Sequence, residues 1–153
     1  MDDKLEALDE PWKTLAKGLI ASRRTNQGTW VIRCADLLSE ALEEVITRKL
    51  DRDPPASGRR TCPKQFKVRI SVARDLGIIT ADQHLELVKI RDMRNIFARS
   101  GSGLNLEEGE MNRLFKELKP RGPDSEAYAE AFLDCVIDIK QHLRSYAQLN
   151  FPD

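Results

Sequence analysis

The chain is poor in the residues that do redox, metal or covalent chemistry. It has three cysteines and two histidines in 153 residues. Cys34, Cys62 and Cys135 are far apart, no pair has C-x-x-C spacing, and neither His84 nor His142 lies near one in sequence. A disulfide framework and a zinc site are both disfavoured. Charge of one sign is also missing: 25 basic residues cancel 25 acidic ones, so no global field draws the chain to nucleic acid. No apolar run reaches membrane-spanning length, and Met1-Asp2-Asp3-Lys4 lacks the apolar core of a signal peptide. The cytoplasm is the expected location. Ser100-Gly101-Ser102-Gly103 has no Lys-Ser or Lys-Thr ending and follows no strand pattern, which excludes a phosphate-binding P-loop. No Ser-His-Asp or Cys-His order is visible. No catalytic residue, metal or cofactor is assigned.

What the chain does have is helical periodicity. Neither a repeat nor a sustained alternation argues for a sheet, and 153 residues suit one domain, 1–153, able to bury roughly 68–70% of its unfolded surface. The expected fold is all-α, a bundle of five to six helices. The first helix covers 5–24 and restarts near Pro11, with Trp12, Leu15, Ala16, Leu19 and Ile20 on one face. Asn26, Gln27 and Gly28 break the pattern. The second, over 29–50, buries Val31, Cys34, Leu38, Leu42, Val45 and Ile46, and Glu40, Glu43 and Glu44 form an acidic stripe opposite. Residues 51–62 hold a loop rich in Pro54, Pro55, Ser57 and Gly58.

A third helix is expected over 63–76, turning Phe66, Ile70, Ala73 and Leu76 inward, with Gly77 as a left-handed cap under Ile78. Thr80-Ala81-Asp82-Gln83 matches a capping box. It opens a helix carrying Leu85, Val88, Ile90, Met93 and Phe97, which ends before Ser100. Residues 106–118 form a short helix closed by Pro120, Gly122 and Pro123. The last helix starts near Asp124 or Ser125, and Phe132, Val136, Ile139, Leu143 and Tyr146 line a narrow seam, read as core packing ahead of a dimer face. Cys34 and Cys135 fall on apolar stripes as small buried hydrophobes.

Two charged features stand out. In Ile90-Arg91-Asp92-Met93-Arg94-Asn95-Ile96-Phe97-Ala98-Arg99, a helix sets Arg91, Asn95 and Arg99 in one row with Arg94 on the adjoining ridge. Such a face suits an anion or partner contact, because guanidinium groups grip phosphate or carboxylate in a planar fork. It suits equally a structural tie between helices. The second is a basic run of Arg59, Arg60, Lys64, Lys67, Arg69 and Arg74, either a phosphate-binding patch or a solvated face that pairs with the acidic stripe. No helix-turn-helix pattern with an exposed recognition helix accompanies it.

Residues 28–118 resemble the mannitol operon repressor (MltR) family. The similarity lies in an amphipathic helix like 30–46, a phenylalanine-led segment like 66–79, and a closing signature matched by Ile90, Arg91, Arg94, Asn95, Phe97 and Ala98. Arg94-Asn95 also resembles the first half of the Arg-Asn-x-x-x-His motif of the wider HEPN-type helical class, which includes ribonucleases. The histidine position of that motif is Arg99 here. Acid–base work on a ribose hydroxyl needs a group that titrates near neutrality, as histidine does at about 6.5, whereas arginine stays charged below about 12. Of the two histidines, His84 is more than two helical turns away and His142 lies on the last helix. The resemblance therefore implies a non-enzymatic transcription-regulatory protein, a homodimer acting through a protein partner and not through a DNA-reading helix. The alternatives are a HEPN-type RNA-binding domain or degenerate ribonuclease, and an antitoxin-like scaffold with an apolar groove.

Overall fold

The computed structural model describes residues 2–22, 27–56, 58, 61–100, 109–117 and 125–152. Among them are seven helices: α1 (Asp2–Glu6), α2 (Trp12–Ser22), α3 (Gln27–Arg52), α4 (Phe66–Asp75), α5 (Ala81–Ser100), α6 (Gly109–Lys116) and α7 (Ser125–Asn150). The expected all-helical bundle is present, one helix larger because the chain divides ahead of Pro11 into α1 and α2. Several expected features lie outside the described residues: Arg24, Asn26, Ser57, Arg59, Arg60, 101–108, Leu118, Pro120, Gly122, Pro123 and Asp124.

The bundle is organised around α3, which packs on α2, α4, α5 and α7. Its buried stripe of Val31, Cys34, Ala35, Leu38, Leu42, Val45 and Ile46 follows the helical repeat. Each large aliphatic side chain removed from water there contributes roughly 1.5–3 kcal/mol. From α7 come Phe132, Val136, Ile139 and Leu143, so four of the five seam residues lie in the core, and Tyr146 packs half-buried against it. No helix among the described residues is long and apolar enough to cross a membrane.

The α4–α5 connection obeys local rules. Gly77 takes the left-handed conformation at φ +75°, and Ile78 N–H donates to Ala73 O at 2.9 Å, closing α4 in a Schellman turn. Thr80 and Gln83 then cap α5 reciprocally. Thr80 N–H donates to Gln83 Oε1 at 2.9 Å, and Gln83 N–H donates to Thr80 Oγ1 at 3.1 Å.

Four expectations change. Gln27 and Gly28 do not break the chain but open α3, where Gly28 faces the Phe97 ring. Leu85 is 56% exposed and Leu87 is buried in its place, because the inward stripe of α5 runs Leu87, Ile90, Met93, Phe97 and a two-residue offset turns a side chain roughly 200° around the helix. α4 begins at Phe66, leaving the Pro63 carbonyl outside the helix to accept a hydrogen bond from Arg69, and α5 continues through Ser100.

Candidate functional site

The motif row lies on the side of α5 away from its buried stripe. Arg91 is held by its neighbour: Nη2 and Nε donate to Asp92 Oδ1 at 2.6 and 3.2 Å. Arg94 reaches across to α3, with Nε 3.4 Å from Asp36 Oδ1. Asn95 and Arg99 are exposed. A cavity of about 550 Å³ opens between α5 and α6, lined by Arg91, Arg94, Asn95 and Arg99 with Glu110 and Arg113 from the facing helix. Arg113 and Glu110 form a loose, exposed pair at 3.9 Å.

On the other side of the same ridge, a second cavity of about 430 Å³ is bounded by Asp36 and Ser39 of α3 and by Lys64 and Lys67 at the start of α4, and shares Arg91, Arg94 and Asn95. The motif row is thus the wall between two basic depressions. Six cations (Lys64, Lys67, Arg91, Arg94, Arg99 and Arg113) line this surface against three carboxylates (Asp36, Asp92 and Glu110). A net positive face on a neutral chain is what an anionic partner would recognise.

The basic run divides. Lys64 and Lys67 join the motif surface, whereas Arg69 turns inward and is 9% exposed. Its Nη1 donates to Ser39 Oγ at 2.9 Å and Ser39 O at 3.2 Å, Nε donates to Pro63 O at 2.6 Å, and Nη2 pairs with Glu43 Oε2 at 3.1 Å. Arg69 is therefore a tie between α3 and α4, with Glu43 of the acidic stripe as its counter-ion inside the fold. Arg74 is exposed in the last turn of α4 and lines neither depression. Arg59 and Arg60 lie outside the described residues.

Neither histidine belongs to the site. His142 Nε2 donates to the Ile78 carbonyl at 2.7 Å, anchoring α7 to the α4–α5 turn. His84 is half-buried and lines neither depression. Burial raises the Cys34 thiol to about 12, and burial together with the Glu86 carboxylate raises Cys135. Both stay protonated at neutral pH, the opposite of an activated nucleophile. Among the described residues no three His, Cys, Asp or Glu side chains converge as a metal site requires.

Sequence reasoning missed Asp36, Glu110 and Arg113. Asp36 is a polar position on an amphipathic helix like many others, and its pairing with Arg94 spans 58 residues. The Glu110–Arg113 spacing was legible as a helical pair, but nothing local shows that α6 folds onto the motif face. No protein-family model, curated protein or solved structure matches the chain. The fold and site define an all-helical bundle with an arginine ridge that neither histidine lines.

Proposed function

We propose that the chain is a non-catalytic regulatory protein, of the kind its resemblance to the mannitol operon repressor family implies, which engages an acidic segment of a protein partner through the α5–α6 face. One observation carries this reading. Arg99 occupies the place where a nuclease of this motif class has its titrating histidine, on the rim of a cavity with three other arginines. Such a group holds negative charge and does not shuttle protons.

Direct reading of DNA fits poorly. In a helix-turn-helix the second helix meets the bases with its N-terminal residues. The first two turns of α5 offer Ala81, Asp82, Gln83, His84, Leu85 and Glu86, with no Lys or Arg among them.

A second reading, an RNA-binding HEPN-type domain, gains from the alignment of Lys64 and Lys67 with the motif row. Fluorescence anisotropy separates the two, using a glutamate-rich peptide and a single-stranded RNA of equal charge. The proposal expects saturable peptide binding that is lost in Arg94→Ala/Arg99→Ala, and no RNA cleavage. Tighter binding of the RNA favours the second reading. Metal-independent RNA cleavage abolished by Arg94→Ala overturns the non-catalytic assignment. Tight, sequence-selective binding of the purified protein to DNA of its own operon overturns the partner-dependent one. The homodimer belongs to the same proposal, and a monomeric mass at micromolar concentration counts against it.

A further inference from the structure

Away from the arginine ridge, α2, α3 and α7 enclose a cavity of about 460 Å³ with an unusual charged wall. Lys140 of α7 is 9% exposed. Its ammonium is shielded from solvent and donates no hydrogen bond. The nearest carboxylate oxygen, Asp9 Oδ2, is 3.9 Å from Lys140 Nζ, beyond hydrogen-bond range, and also serves Arg144 Nη1 at 3.6 Å. One carboxylate, 67% exposed, thus stands loosely between two cations. A buried ammonium without an acceptor is costly, and a fold keeps one where something supplies the missing oxygen.

We propose that this cavity is a binding site for a small organic monocarboxylate with an aromatic or aliphatic body. Its carboxylate sits between Lys140 and Arg144 and displaces the Asp9 side chain into water. The class follows from what the pair of cations now holds. Lys140 Nζ and Arg144 Nη1 share one carboxylate oxygen, Asp9 Oδ2, so the group that replaces it is a carboxylate monoanion and not a phosphate dianion. The remaining wall selects the body: Trp12, Val45, Leu143, Ala147 and Phe151 make it apolar and partly aromatic. The volume falls within the range of small-molecule sites, which pair an apolar lining with a few placed polar groups. The site stands whether or not the α5–α6 face binds a protein.

Isothermal titration of the full chain tests this with phenylacetate and indole-3-acetate, against phenylacetamide and inorganic phosphate. Saturable carboxylate binding is expected below about 1 mM, with no comparable affinity for the amide or for phosphate. Lys140→Met keeps the side-chain length and removes only the unpaired charge, so the fold is retained; affinity falls roughly 10- to 100-fold. Asp9→Asn removes the competing carboxylate and raises affinity. Amide NMR shifts on titration cluster at Trp12, Leu143 and Phe151. The site is overturned if neither carboxylate saturates up to about 10 mM, if Lys140→Met binds as tightly as the parent chain, if Asp9→Asn binds no better, or if phosphate or the amide binds equally well.

Discussion

Gly28 and Phe97 meet face to backbone: a Cβ built on Gly28 would lie 2.7 Å from Phe97 Cδ1 and 3.2 Å from Cγ. The contact seats α3 against the helix that carries the arginine ridge. Phe97 is fully enclosed, so its ring has nowhere to retreat. Gly28→Ala is expected to cost about 1–3 kcal/mol through overpacking, in spite of alanine's better helix propensity. Thermal unfolding measures it, and a raised melting temperature would contradict the close approach.

Arg69 supplies a second structural test. Arg69→Ala strips donors from Ser39 and the Pro63 carbonyl and leaves Glu43 without its partner. A loss of roughly 2–4 kcal/mol is expected, measured by urea denaturation. Arg69→Lys recovers little of it, because an ammonium does not reproduce the fork that reaches four acceptor atoms at once.

On the arginine ridge, Asp36 acts as a built-in competitor for Arg94. Asp36→Asn is expected to strengthen binding of a glutamate-rich peptide to this face by about two- to fivefold, in keeping with an exposed pair. Anisotropy reads it directly. Unchanged affinity would mean that Arg94 does not contact the peptide.

The cysteines are expected to react unequally with iodoacetamide at pH 7.5. Cys34, raised to about 12 by burial, carries roughly a thousandth of the thiolate of an ordinary thiol. It stays unmodified in the native state, and Cys135, held against Glu86, reacts slowly. Cys62 reacts first. Mass spectrometry of the partly alkylated chain gives the order, and early labelling of Cys34 would contradict the burial.

The α1–α7 contact predicts an alkaline effect. Lys4 is raised above 10.5 chiefly by its hydrogen bond to Asp134, 2.9 Å away. A raised lysine stabilises the fold fully below its unfolded value and loses that contribution as pH climbs through the folded one. Hydrogen exchange of α1 should therefore accelerate above about pH 10.5 beyond the intrinsic base-catalysed rise. Because the Lys4 side chain is 43% exposed, the effect on global stability stays below about 1 kcal/mol. Lys4→Met should abolish the extra acceleration.

These residues also show what local chemistry makes legible. The Gly77 cap and the Thr80–Gln83 box were readable because each is settled within a few residues by backbone hydrogen bonds. The stripe on α3 was readable because burial follows the helical period. Gly28 was misread because a propensity rule sees a breaker where a distant phenylalanine ring needs an absent side chain. Leu85 and Leu87 were confused because an apolar residue is offered on both faces of α5 and only the neighbours decide which is enclosed. In the candidate site the arginine row was visible, but the division of the basic run was not. Arg69 and Lys67 are two residues apart and point to opposite fates, set by Ser39 and Glu43 some thirty positions earlier. Lys140 gave no signal at all, since its burial depends on how α2, α3 and α7 close together.

The double fastening of the α4–α5 turn has a consequence for affinity. With the Schellman closure at Gly77 and the reciprocal cap at Thr80 holding both helix ends, Lys64 and Lys67 are carried on a frame that cannot easily swing relative to Arg91 and Arg94. The spacing of positive charge across the ridge works as a ruler. A ligand whose anionic groups match its graduations binds without an entropic charge for assembling the site, and one with another spacing gains little from the same six cations.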